Sequence, residues 1–216
     1  MMALFRRAPV TAAILFLITI VFIFEWVTGA LWNDAALVQM GAIVPGMLQR
    51  GEYWRIFTAM FLHGSFLHFA ANAWALYQLG ALYEAMFGRA RFATIYFVAG
   101  ACASIASSLT VQYASVGASG AVMGILGAFI FSIRRSPQWR HEPWTKTLLS
   151  QLIFWAGLNI VLGFSVEFID NTAHIAGLVT GLFLGLIPHR VPPPPPGRTV
   201  VDVQPYEDST FRQNQP

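Results

Sequence analysis

The chain has 216 residues, of which 56% are hydrophobic and only 11% charged, with a formal net charge of +3 and a mean hydropathy of +0.57. Soluble domains carry about 25% charged residues, so the composition excludes an ordinary soluble globular protein and points to the membrane class. The lone cysteine, Cys102, excludes an intramolecular disulfide framework and reads as a small core residue.

Arg6 and Arg7 precede the first of six apolar runs, Val10–Trp26. This run is longer than a signal-peptide core and no clear small-x-small cleavage site follows, so it reads as a retained span. A loop over about 27–65 comes next, with Arg50 and Arg55 as its only Lys or Arg residues. The later runs are Phe66–Phe87, Phe92–Val111, Ala118–Ile133, Leu148–Phe164 and Ala173–Ile187. Glu84, near the inner end of the second run, is expected to pair with Arg89 or Arg91. A crossing helix needs about 20 residues. The fourth and sixth runs hold about 16, or roughly 24 Å of helix. They read as spans that begin below the membrane surface. The chain entering them then lies at membrane depth without regular helix, which is tolerated only against protein or a water-filled cavity. From Pro192 a five-proline run leads into a polar end, an extended spacer and a disordered tail. The expected organisation is a short cytoplasmic segment over 1–9, a six-helix membrane domain over 10–190, and a proline-rich cytoplasmic tail over 191–216.

With six spans, both termini and the loops after the second and fourth spans share one face. That face holds eleven of the thirteen Lys and Arg residues, so it is expected to be cytoplasmic. His141 and His189 fall on it. Ser119, His63, His68 and His174 fall on the outer side, at the starts of the fourth, second and sixth spans. Ionisable residues at membrane depth are costly and usually functional.

Ser119 sits in Gly117-Ala118-Ser119-Gly120. It is either a small residue that lets helices pack or a nucleophile. Gly120, Gly124 and Gly127 give the fourth span a small-residue face, and Gly177, Gly181 and Gly185 recur every four residues in the sixth. Such stripes let membrane helices approach closely. If these faces meet, Ser119 and His174 come together at the outer ends. A neutral imidazole can take the proton of a serine hydroxyl. A helix start offers free N–H groups and a positive dipole end to a developing oxyanion. His68 and Asn72, four residues apart, share a helix face and can donate further hydrogen bonds. His63 is off that face and suits a structural role in the loop. Asp170, four residues before His174, reads as a helix cap in preference to a third catalytic member.

Taken together, Tyr53-Trp54-Arg55, His63-x4-His68-x3-Asn72, Gly117-Ala118-Ser119-Gly120 and Ala173-His174-Ile175-Ala176-Gly177-x3-Gly181 resemble the rhomboid intramembrane serine proteases. The resemblance runs from the outer loop to the sixth span. It implies an all-α integral membrane protein, a six-helix bundle with a Ser119/His174 dyad sunk below the outer surface. It implies an oxyanion hole of His68, Asn72 and the Ser119 N–H, and a structural role for Trp54 and Arg55 in propping a membrane-embedded outer loop. Peptide bonds in or near the transmembrane segments of other membrane proteins would be hydrolysed without cofactor or metal, and no nucleic acid partner is expected. The second and fifth spans, the latter with Phe154 and Trp155, would flank lateral substrate access. The expected setting is a bacterial inner membrane, with both termini cytoplasmic and the site opening outward. Several family members carry an aromatic residue four positions after the serine, where this chain has Met123. The readings from other classes are a catalytically inactive rhomboid-like binder of membrane helices and a small six-span transporter. The presence of both Ser119 and His174 opposes the first. The lack of an inverted repeat and the clustering of polar residues near the outer face oppose the second.

Overall fold

A computed structural model describes residues 7–137, 139–166 and 169–188. The 191–216 tail, His189, Arg6, Arg190, Arg198, Arg212 and most of the 1–9 segment lie outside the described residues. Helices form at all six apolar runs. They are α1 (Pro9–Thr28), α3 (Phe66–Ala75) continuing through a wide π turn (Leu76–Gly80) into α4 (Ala81–Phe87), α5 (Arg89–Thr110), α6 (Ser119–Arg135), α7 (Pro143–Ser165) and α8 (Asn171–Leu186). Between α1 and α3 lie α2 (Asp34–Met40) and a single helical turn over Arg55–Thr58. Among the described residues the β pairing is an isolated bridge between Ile43 and Ser115. By length and composition, α1, α5 and α7 are long and apolar enough to cross a membrane. α8, at 16 residues, is a shorter apolar helix. The short α6 and α8 match the short fourth and sixth runs.

The second run is not one uniform helix, as its apolar pattern suggested. The π turn widens the helix at Leu76–Gly80. A Cβ on Gly80 would come within 3.0–3.2 Å of the Leu76, Thr11 and Phe92 side chains, so a bare backbone here admits both α1 and α5.

α6 is the centre of the bundle, buried from Gly120 to Ile130 and again at Ser132 and Ile133. It lies between α5 and α8. Towards α5, a Cβ on Gly120 or Gly124 would run into the Cβ of Ala103 or Ala99. Towards α8, a Cβ on Gly177 would strike the carbonyl oxygen of Gly120, and one on Gly181 that of Gly124. A Cβ on Gly127 would strike the carbonyl oxygen of Leu178. The two glycine faces meet, as their spacing predicted. Backbone packs on backbone, which gives the dense contact that must replace the hydrophobic effect between helices in lipid. At the other end of the helices, Tyr83, Phe87 and Phe129 pack ring on ring. α7 is peripheral and buries only Thr145, Leu152 and Ala156.

Glu84 corrects a sequence expectation. It pairs with neither Arg89 nor Arg91. Its carboxylate accepts the N–H of Val10 (3.0 Å), the N–H of Thr11 (2.7 Å) and the hydroxyl of Thr11 (2.8 Å). The reason lies in α1: Ala8 at its N-cap offers no side-chain acceptor, and Pro9 follows. The open first-turn N–H groups draw an anion from another helix. Arg91 turns instead to the Tyr83 hydroxyl (2.8 Å), the Ser132 hydroxyl (3.2 Å) and the α8 carbonyls of Leu184 (3.1 Å) and Gly185 (3.4 Å). A cation thus closes the C-terminal end of α8. Glu84→Ala is expected to lower the unfolding free energy by about 3 kcal/mol, since it strands buried donors. Unfolding titrations in mixed micelles read this directly, and an unchanged midpoint would contradict it.

Candidate functional site

The irregular chain before α6 is pinned from several sides. Ile43 and Ser115 exchange both backbone hydrogen bonds (2.9 and 3.0 Å), and the Gly117 N–H reaches the Ala59 carbonyl (2.9 Å). Gly117 holds φ +126°, a left-handed conformation that favours glycine. A Cβ there would lie 2.5 Å from His68 Nε2 and 3.5 Å from Asn72 Nδ2. His68 and Asn72, one turn apart on α3, therefore sit directly over the Gly117 backbone, two residues before Ser119. The Asn72 amide nitrogen is buried without a hydrogen-bond partner among the described residues. A buried donor left open beside a serine is a ready partner for a negative oxygen.

Ser119, half-buried, is the first residue of α6. Ala118 at the N-cap has no side-chain bond to the first-turn N–H groups. Across from this turn stand the first two turns of α8, with Ala173, His174 and Gly177. A Cβ on Gly120 would lie 3.6 Å from the Ala173 carbonyl, and one on Gly177 would meet the Gly120 carbonyl. Ser119 and His174 thus stand on two facing helix starts in backbone contact. His174 is buried, and its Nδ1 has no partner among the described residues.

Asp170 caps α8 by accepting the Ala173 N–H at 2.9 Å. Its other oxygen accepts the hydroxyls of Ser115 (2.8 Å) and Ser107. Both oxygens are engaged by these donors, and among the described residues His174 Nδ1 has no hydrogen bond to Asp170.

His63 stands beside the His68, Asn72 and Gly117 group and outside it. Its backbone N–H donates to Glu25 Oε1 (2.8 Å), and its ring meets the His68 and Phe69 rings edge-on at 5.2 and 5.5 Å. Nothing in the periodicity of the first span marked Glu25 as the anchor of this loop. Its signal was a carboxylate inside an apolar run, a residue that has to find a partner. In the outer loop the buried Arg55 guanidinium donates to the carbonyls of Val38 (2.5 Å) and Ala42 (2.9 Å) and to Glu52, with Trp54 at 4.5 Å from its centre. The Arg50 and Arg55 guanidiniums hold the Glu52 carboxyl below its ordinary value. Trp54 and Arg55 thus tie α2 to the turn that follows, away from Ser119. Met123 is buried in the central core. Trp155 of α7 meets Trp74 of α3 at 6.3 Å, so the expected flanks of lateral access touch through two indole rings.

Residues 50–191 match the family described as Rhomboid domain. The chain is 36% identical over 184 residues to "Rhomboid protease GluP" of Bacillus subtilis, covering 84% of this chain and 35% of that protein. It is 36% identical over 154 residues to "RHOMBOID-like protein 5" of Arabidopsis thaliana, covering 70% of this chain and 49% of that one. YdcA of Bacillus subtilis is 28% identical over 188 residues, covering 84% of this chain and 89% of that protein. The chain therefore spans about a third to a half of the length of the first two relatives.

Proposed function

The chain belongs to the rhomboid family and is an integral membrane protein, and from that premise we propose that it is an intramembrane serine protease with Ser119 as nucleophile and His174 as general base and acid. The observation that carries this reading is the pair of facing helix starts, with His68 and Asn72 held over Gly117 beside them.

The chemistry follows from the positions. The His174 imidazole takes the Ser119 hydroxyl proton as Oγ attacks the carbonyl carbon of the scissile peptide. Negative charge gathers on the former carbonyl oxygen, where the His68 and Asn72 side chains and the Ser119 N–H can donate to it. The tetrahedral adduct collapses when the imidazolium gives its proton to the leaving amine. An ester between Ser119 Oγ and the carbonyl carbon of the substrate's amino-terminal fragment remains. Water then attacks the ester with His174 again as base, and Ser119 is released. No step draws on Asp170 as a relay.

In this reading the chain crosses a bacterial plasma membrane six times, with the basic loops and both termini cytoplasmic and the site open outward, which the excess of Lys and Arg on one set of segments supports. The substrates are transmembrane segments of other membrane proteins, reaching Ser119 from the bilayer between α3 and α7, past Trp74, Phe154 and Trp155. Residues 10–190 form the protease domain, and Trp54 and Arg55 support its outer loop. A fluorophosphonate probe tests the central claim. It is expected to label the wild-type chain and not Ser119→Ala. A labelled Ser119→Ala protein would overturn the assignment of the nucleophile, and an unlabelled wild type would favour a helix-binding role without catalysis.

A further inference from the structure

We infer that Asp170 is a positioning residue that clamps the loop before Ser119 to the helix start bearing His174, and so sets the separation of nucleophile and base; this rests on the protease reading above.

A helix cap needs one carboxylate oxygen, and Asp170 Oδ1 fills that role at Ala173. The second oxygen does something a cap does not require. It accepts the hydroxyls of Ser107, near the end of α5, and of Ser115, in the loop that leads to Ser119. Three elements that are separate in sequence therefore meet on one carboxylate. Ser115 is four residues before Ser119, and Asp170 is four residues before His174. Each tether is thus one short step from its reacting side chain.

The glycine faces alone do not define that separation. Gly177 on Gly120 fixes how closely α6 and α8 approach from the first turn inward. The loop over 111–118 is irregular, with no helical ladder to hold it, and Ser119 stands where that loop becomes helix. Backbone bonds from Ser115 to Ile43 and from Gly117 to Ala59 fix it to the outer loop, and the Ser115 hydroxyl, bound by Asp170, ties it to the start of α8. Charge-assisted hydrogen bonds of this kind are short and strong enough to define a geometry. A displacement of about 1 Å between reacting groups costs about 100-fold in rate. That makes the clamp consequential without any contact between Asp170 and substrate.

The test uses the full chain in bilayer vesicles and measures fluorophosphonate labelling at increasing probe concentration. This separates the maximal labelling rate from the half-saturating concentration. Asp170→Ala and the double variant Ser107→Ala/Ser115→Ala are each expected to lower the maximal rate about 10- to 100-fold, with the half-saturating concentration unchanged. The triple variant is expected to label no more slowly than Asp170→Ala, since all three changes break one device. Asp170→Asn keeps an oxygen for the Ala173 N–H and an amide able to donate to a seryl oxygen, and is expected to recover part of the rate. The double serine variant leaves the α8 cap intact, so it carries the test even where Asp170→Ala fails to fold. Wild-type labelling by the double serine variant, or losses that multiply in the triple variant, would overturn the clamp while leaving the dyad standing. A wild-type chain that takes no label overturns the protease reading, and the clamp with it.

Discussion

Ser119→Ala and His174→Ala are each expected to reduce cleavage of a transmembrane substrate by at least on the order of 10⁴-fold in kcat. Removing the nucleophile leaves no covalent route, and removing the base leaves a hydroxyl that is a weak nucleophile. Groups that act as one unit show losses of this size singly, and combining them adds little. The double variant is therefore expected to be no slower than the slower single variant. The Gly120–Gly177 and Gly124–Gly181 contacts that hold α6 and α8 together are made by backbone, so neither substitution removes an atom from them. The variants should remain folded, so the loss would be chemical. Cleavage by purified protein in liposomes, followed by gel mobility of the product, reads the result. Substantial turnover by Ser119→Ala would sink the mechanism.

Gly181→Val is the second large effect, and it acts through packing. The first atom added at Gly181 falls on the backbone of Gly124, where no flexible side chain can move aside. The helices must separate, and they lose close contact along their shared face. Overpacking of this kind costs about 1–3 kcal/mol where side chains can yield, and here the obstacle is backbone, so a loss at or above that range is expected. Activity should fall further than stability alone would require, because parting α6 from α8 also parts Ser119 from His174. Gly157 supplies the control. Nothing lies within 4 Å of a Cβ built there, on the sparsely buried α7. Gly157→Ala is expected to be neutral or to stabilise by up to about 1 kcal/mol, as alanine in a helix usually does. Thermal unfolding in micelles distinguishes the two. Equal midpoints for both variants would contradict the reading of the glycine face.

Much of this architecture was legible in the residues. Apolar runs marked the helices, because a backbone in lipid has to satisfy its own hydrogen bonds. The spacing of Gly177, Gly181 and Gly185 announced a close helix pair, since a stripe at four-residue intervals has little other use. His68 and Asn72 share a face by spacing, and that face does lie over Gly117. What escaped was long-range polar pairing. Glu84 looked like a partner for Arg89 or Arg91 because those cations are near in sequence, yet an uncapped helix start was the stronger attraction. Asp170 could be read as a cap from its position, but its second oxygen could not, because Ser107 and Ser115 come to it through tertiary packing. Glu25 gave no periodic signal at all. Local rules describe one element at a time, and these carboxylates join elements that such rules treat separately.

The Glu84 cap also bears on how the chain is made. The donors it satisfies, Val10 and Thr11, are synthesised 74 and 73 residues before it. At about 5–20 residues per second, the beginning of α1 waits on the order of ten seconds for its anion. During that interval those N–H groups need water or lipid headgroups, so the first helix has to be tolerated by the translocation machinery before it is finished. Its final seating belongs to a later moment of biosynthesis, when α4 arrives and the two ends of the chain's first hundred residues close on each other.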